Sequence, residues 1–387
     1  MPGNNAGHQK PGRSTPRRKN ATRPPVRYAV VGLGHIAQVA VLPAFGHVKR
    51  SCRLQALVSD DPEKLSELAR RYDVPLLASY DDYDELLASG QVDAVYISLP
   101  NHLHREYTER AARAGVHVLC EKPMAVTEQD CRAMINACDV NHVCLMMAYR
   151  LHFEPANLRA AEIAHDGSIG DARIFTSVFT MQVKEGDIRL RQETGGGTLY
   201  DIGIYCINAA RCLFRTEPIE VFAFAASTGE KRFREVDEMT TAILRYPDER
   251  LATFTVSFGA ADVSAYQVVG TEGDLRVDPA YGYSAELRHH LTIGGRTRVK
   301  TFPRRDQFAA ELDYFAACIR DETNPEPSGQ EGLADVQIIE ALLRSAETGR
   351  PVGVDLKADQ LPTRDQEYSK PPSAEPEMVK AESPRGN

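Results

Sequence analysis

The chain has 387 residues, enough for two domains at the usual roughly 100 to 200 residues each. With 42% hydrophobic and 26% charged residues, it has the composition of a globular protein, which excludes fibrous and wholly disordered classes. A formal net charge of −8 argues against a polyanion-binding surface, which needs a basic patch to displace counterions, so no nucleic-acid partner is expected.

Residues 1–26 hold Arg13, Arg17, Arg18, Lys19 and Arg23 among Pro, Gly, Asn and Thr, and read as a solvated, disordered basic tail. Arg17-Arg18 raises the possibility of a twin-arginine export signal, but the apolar stretch such a signal needs does not follow it. No run reaches the about 18 apolar residues of a membrane helix, so no membrane partner and a cytoplasmic location are expected. The eight cysteines show no Cys-x-x-Cys spacing and read as reduced thiols, and no residue cluster has metal-ligand spacing.

From Arg27 the chain alternates short β-branched runs with helical patterns, the sign of a parallel sheet wrapped by helices. Tyr28 to Val31 is the first strand and Leu54 to Val58 the second. Asp61 then caps a helix with Pro62 at its first position. Asp81 or Asp82 caps the next helix, Ala94 to Leu99 is the strongest strand signal, and Pro100 ends it. A helix through Glu106 and Ala112 stops at Gly115, His117 to Cys120 is a strand, and Thr127 caps another helix. The strand at Val143 to Met147 closes a first domain over residues 27–148.

Beyond Tyr149 strands follow one another without long intervening helices: Ala172 to Thr180, Val221 to Ala225, Thr240 to Tyr246 and Leu251 to Phe258. Helices near Ile202 to Cys212 and Gln307 to Arg320 are expected to pack on this mainly antiparallel, open sheet, with a further helix over Leu333 to Thr348. The expected architecture is therefore α/β: an N-terminal Rossmann domain plus a C-terminal α+β domain over 149–356. Residues 357–387, rich in Pro, Glu and Lys, read as a second disordered tail.

Gly32-Leu33-Gly34-His35-Ile36-Ala37 follows a strand and opens a helix, the context that makes Gly-x-Gly-x-x-Ala a dinucleotide fingerprint. Gly32 permits the tight turn and Gly34 the approach of a pyrophosphate, which the amides near His35 and Ile36 at the helix N-terminus would hold. Ser59 stands where an acid would bind a ribose 2′-hydroxyl. Lys64 lies one helical turn further, either as a 2′-phosphate ligand or as a solvated lysine. This pattern favours NADP over NAD, although Asp60 adds an opposing negative charge.

Glu121-Lys122-Pro123 places Lys122 at the carboxyl edge of the sheet, where an ammonium can stabilise a developing alkoxide. Gly195 to Tyr205 carries three consecutive glycines, then Asp201 and Tyr205 four residues apart on one helix face. A tyrosine serves as general acid or base only if a neighbour lowers its reference pKa of about 10, a role open to Lys122, with Asp201 orienting a substrate hydroxyl.

These motifs, with Pro100 to His104, Tyr149 to His152 and Glu326 to Gly329, resemble the Gfo/Idh/MocA oxidoreductases, particularly the glucose-fructose oxidoreductase-like branch. The resemblance spans roughly Arg27 to Val354. It implies hydride transfer between NADP and a sugar or cyclic polyol, with a large open sheet used in a homodimer or homotetramer. It also implies Lys122, Asp201 and Tyr205 as catalytic residues. Many relatives carry Asp-x-x-x-His where this chain has Asp201 and Tyr205, which speaks against an inositol dehydrogenase. Glu121, Lys122, Pro100, Asn101, His104 and Arg150 join Gly32, Gly34, His35, Ile36, Ser59 and Lys64 in the expected cofactor set. Asn101 either contacts the nicotinamide or a ribose or caps the next helix, and His104 and His152 have a structural alternative. The competing function is a non-catalytic NADP-binding redox sensor on the same fold.

Overall fold

Buried β-branched and aliphatic runs between helices build the first sheet of the computed structural model, which describes residues 24–356 and 371–385. Its strands are β1 (Val26–Val31), β2 (Cys52–Val58), β3 (Leu76–Ala78), β4 (Ala94–Ile97), β5 (His117–Glu121) and β6 (Leu145–Ala148). All pairs are parallel, in the order β3-β2-β1-β4-β5-β6. This is the doubly wound arrangement, in which the chain reverses direction beside β1 and opens a crevice at the carboxyl ends of the strands. The connecting helical segments are a π turn (Ala37–Val41) leading into α1 (Leu42–Ala44), then α2 (Pro62–Tyr72), α3 (Tyr83–Ala88), α4 (His104–Arg113) and α5 (Glu128–Val140).

The remainder forms α6 (Pro155–His165), β7 (Ala172–Gln182), a π turn (Leu199–Gly203) continued by α7 (Ile204–Phe214), β8 (Glu220–Ala226), β9 (Met239–Tyr246) and β10 (Arg250–Ser257). It continues through β11 (Gly259–Gly270), β12 (Gly273–Val277), β13 (Leu287–Ile293), β14 (Arg296–Phe302), α8 (Gln307–Asp321), α9 (Gly329–Thr348) and β15 (Val352–Gly353). The nine-stranded sheet runs β14-β13-β12-β11-β7-β10-β9-β8-β15 and is antiparallel except where β10 lies parallel to β7.

Three placements differ from the sequence reading. Helix α8 does not lie on the second sheet: Phe308, Leu312 and Phe315 join the core of Tyr28, Val30 and Leu57 under the first. The Tyr28 hydroxyl donates to Leu312 O at 3.3 Å. Strands β11 to β14 extend the second sheet beyond the segments expected.

The third concerns the C-terminal tail. Residues 371–385 are not loose: Val379 is 7% exposed within the core beside Leu33 and Ala37. Its amide donates to Gln38 Oε1 at 2.6 Å. The expected basic tail up to residue 23, together with residues 357–370 and 386–387, lies outside the described residues, and β1 begins at Val26. Among the described residues no helix is long and apolar enough to cross a membrane, and no His, Cys, Asp and Glu cluster is disposed to hold a metal ion.

Candidate active site

The turn after β1 is built for a ligand. Gly32 has φ +90°, and a Cβ there would lie 2.7 Å from Ser98 O, so only glycine fits. A Cβ on Gly34 would meet nothing within 4 Å, leaving that side of the loop open. The first turn of the following helix closes with Gln38 N–H donating to Gly34 O at 3.2 Å, so the amides of His35 and Ile36 come ahead of the helical ladder and are donors for an anion. This cradle fits a dinucleotide pyrophosphate. At the end of β2, Ser59 is buried and its Oγ accepts from Asp61 N at 3.2 Å, while Asp61 Oδ1 caps α2 through the amides of Glu63 and Lys64 at 3.0 and 3.1 Å. Asp60 Oδ1 accepts from Tyr80 N at 2.9 Å.

Lys122, Asp201 and Tyr205 come together in the cleft between the two sheets, where β5 ends and the π turn leads into α7. Lys122 Nζ donates to Asp201 O at 2.8 Å and to Asp201 Oδ1 at 3.2 Å. It stands 4.8 Å from the centre of the Tyr205 ring, over its face. The other Asp201 oxygen accepts from Arg189 Nε at 2.8 Å, and Arg189 also pairs with Asp187 at 3.2 Å. Asp201 is therefore held between two cations, with both carboxylate oxygens engaged.

The Tyr205 hydroxyl accepts from Arg150 Nη2 at 3.2 Å. Arg150, 7% exposed, is fixed in turn by Gln307 Oε1 at 2.7 Å and Tyr281 O at 2.6 Å. The cation that touches the phenolic oxygen is thus Arg150, and the phenol proton is left free to be donated.

Burial works against charge on both partners of the lysine pair and loses. It pushes the Asp201 carboxyl up, yet Arg189 and Lys122 outweigh it and hold the group at about 2. For Lys122 burial pushes the pKa down, but Tyr205, Asp201 and Glu121 raise it above the ordinary lysine value. A depressed carboxyl contributes stability above its unfolded value of about 4 and loses it as pH falls toward 2; a raised ammonium contributes below about 10.5 and loses it on the alkaline side. The ion pair therefore persists across the whole neutral range.

Several expected cofactor residues have other partners. Asn101 Nδ2 donates to Gly195 O at 2.8 Å, so it neither caps a helix nor is free; it ties the β4 edge to the glycine loop of the second domain. His104 is fully buried, its ring nitrogens 2.9 Å from Pro123 O and from Leu99 O, and burial lowers its pKa, so a neutral ring holds the loops around Pro100 and Lys122 from beneath rather than facing the cleft. Glu121 accepts from the Tyr96 hydroxyl at 2.9 Å, with burial raising its pKa.

His152 lines the cleft with its Nε2 held 2.8 Å from Asn208 Oδ1 and 3.1 Å from Glu331 Oε1. Sequence reasoning missed Arg189, Gln307 and Tyr281. The one signal for Arg189 is the glycine run: a Cβ on Gly196 would sit 2.4 Å from Arg189 O, so the glycine exists to let that loop fold over Asp201.

Lys122 and Tyr205 line an open cavity of about 120 Å³ together with Leu151 and His152, Leu158 of α6 and Asn208 of α7. Apolar walls with a few converging polar groups are the usual make-up of a small-molecule site.

Comparison with known proteins agrees with this geometry. Residues 26–149 match the family model described as an oxidoreductase family with an NAD-binding Rossmann fold, and residues 157–276 match the GFO/IDH/MocA C-terminal domain. A D-xylose 1-dehydrogenase [NADP(+)] of Haloarcula marismortui is 35% identical over 344 residues, covering 87% of this chain and 95% of the relative. The crystal structure of an aldose-aldose oxidoreductase from Caulobacter crescentus, complexed with glycerol, is 37% identical with a TM-score of 0.82, over 85% of this chain and 100% of that one. A 3-ketoreductase from Actinomadura kijaniata, in complex with NADP and TDP-benzene, is 27% identical with a TM-score of 0.76, over 83% and 98%. The chain belongs to the Gfo/Idh/MocA oxidoreductases.

Proposed function

We propose that this chain is an NADP-dependent oxidoreductase that transfers a hydride between the nicotinamide and the carbonyl or hydroxyl carbon of a sugar, an aldose being the first candidate. The observation that carries this reading is the cluster of Lys122, Asp201, Arg150 and Tyr205 in the cleft beside the dinucleotide loop. The names of the similar D-xylose dehydrogenase and aldose-aldose oxidoreductase support the substrate class.

Gly32, Gly34, His35 and Ile36 would hold the pyrophosphate, and Ser59 with Lys64 the adenosine 2′-phosphate. When bound, NADP supplies or accepts the hydride. Tyr205 donates its hydroxyl proton to the carbonyl oxygen during reduction and takes it back during oxidation, while Arg150 fixes that hydroxyl. Lys122 stabilises the negative charge that develops on the substrate oxygen, and Asp201 with Arg189 keeps Lys122 in place.

Fluorescence titration with NADPH and NADH, followed by a panel of aldoses and polyols, tests the reading. Preferential NADPH binding and an aldose-dependent change in the nicotinamide signal are expected; preference for NADH would mean that Asp60 dominates the β2 edge, and binding of neither would remove the proposal.

The same reading includes a homodimer or homotetramer. One face of the second sheet exposes Ile174, Val178, Phe224, Ile243 and Leu251 to solvent, with Ile174 and Leu251 paired in register across β7 and β10. Contiguous apolar surface of this kind marks an association face. Light scattering should give at least twice the monomer mass, and a strict monomer would contradict it.

A further inference from the structure

We infer that residues 371–385 are part of the nucleotide site: they strap the cleft shut, and Lys380 on the strap is a ligand of the adenosine 2′-phosphate. The inference rests on the proposed NADP assignment and adds a segment that neither the fingerprint nor the Rossmann fold supplies.

The strap is fastened at the dinucleotide helix. Gln38, fully buried, offers its whole amide: Oε1 accepts from Val379 N at 2.6 Å, and Nε2 donates to Val379 O at 2.8 Å and to Leu33 O at 2.9 Å. A buried side-chain amide satisfied by one residue of the tail and one of the Gly-x-Gly turn joins the two directly. Burial of the Val379 side chain adds an apolar anchor to that polar clamp. One residue earlier, Met378 Sδ lies 3.2 Å from His35 Nδ1, over the first helical turn after Gly34. Further on, the strap crosses to the other domain, where Glu382 pairs with Lys184 and Arg385 pairs with Asp262 at 2.7 Å. It therefore spans from the loop that would hold the pyrophosphate to the sheet that carries the other wall of the cleft.

Charge assigns the role of Lys380. The edge of β2 carries Asp60, Asp61 and Glu63 against the single ammonium of Lys64, a poor setting for a phosphate of charge near −2. Lys380 Nζ lies 2.5 Å from Glu63 Oε2 and 3.7 Å from Asp61 Oδ1, at the N-terminus of α2 and beside the Ser59 hydroxyl that Asp61 N engages. The tail brings a second ammonium to the place where a doubly wound fold binds the 2′ position of the adenosine ribose. With a second lysine at this edge the excess of carboxylates over ammonium groups falls from two to one, and Lys380 can exchange its surface contact with Glu63 for the phosphate.

Two variants of the full chain test this, with binding read by NADPH and NADH fluorescence and folding checked by circular dichroism. Lys380→Ala, at an exposed side chain, should raise the Kd for NADPH about tenfold, the size of a lost charge-assisted hydrogen bond, and leave NADH binding unchanged. Val379→Asp should unfasten the strap and speed release of both nucleotides by about tenfold or more, the penalty of burying an unpaired carboxylate now favouring the open position. An unchanged NADPH affinity in Lys380→Ala overturns the phosphate assignment. Tighter or faster nucleotide binding in Val379→Asp would mean that the strap blocks the cleft, which overturns the inference while leaving the NADP reading intact. A wild-type chain that binds neither nucleotide fails at the earlier step and removes both.

Discussion

Replacing Lys122 with Ala should lower turnover at least about 10²-fold while leaving the affinity for NADPH within a factor of about three. In the proposed reading the nucleotide is held mainly from the other side of the crevice, by the turn after β1 and the β2 edge, so losing the lysine costs little binding. The chemical step loses the ammonium that faces the developing oxyanion, where a water-poor site makes a fixed charge count for more than it does in solvent. Arg189 does not replace it: its guanidinium is committed to Asp201 and Asp187. Initial-rate kinetics on the variant, with a fluorescence titration for the nucleotide, separate the two effects. Turnover equal to that of the wild type would remove Lys122 from the mechanism.

The largest effect on stability is expected at Arg211, on the helix that carries Tyr205. Its side chain, 3% exposed, pairs with both oxygens of Glu217 at 2.6 Å and with Asp335 at 2.6 Å, and Asp335 in turn accepts from the Tyr149 hydroxyl at 2.6 Å. Arg211→Met keeps most of the volume but leaves two buried carboxylates without their cation, a loss of about 3–5 kcal/mol. Against a total stability of about 5–15 kcal/mol that is a large share. A thermal melt should fall by more than about 5 °C, and turnover should fall with it because α7 loses its ionic tie to α9 and keeps only the Asn208 hydrogen bonds to Glu331 and Asp335. A melting temperature within a degree of wild type would show that the carboxylates find other partners.

What the sequence reveals depends on whether a signal is local. The Rossmann half is legible where a strand is a short buried run and a turn carries its own chemistry, from Gly32 to the Asp61 and Thr127 caps, whose side chains do bond the amides of α2 and α5; β3, three residues with Leu77 exposed, gives no such signal and the sequence reading misses it. The strands β13 and β14 are harder to see, since His289, His290, Arg296, Arg298 and Lys300 leave little apolar alternation on an exposed sheet edge. Amphipathic periodicity in α8 shows that one face is buried but not against which sheet, and the partner turns out to be the first domain.

The tail illustrates the same limit. One valine among prolines and charges has no period, so its burial against Gln38 is a purely tertiary fact. In the active site, Lys122, Asp201 and Tyr205 stand in recognisable motifs, whereas Arg189 is a single arginine in a loop and Arg150 reveals its hold on the Tyr205 hydroxyl only once the domains are packed.

The most direct test of the central claim is to incubate the protein with NADP and D-xylose or another aldose deuterated at C1, then examine the nucleotide by mass spectrometry and proton NMR. Deuterium at C4 of the nicotinamide is the predicted result. NADPH formed without deuterium would move the reacting carbon away from C1, and no transfer from any sugar of the panel by a protein that binds the nucleotide would contradict hydride transfer from a sugar carbon.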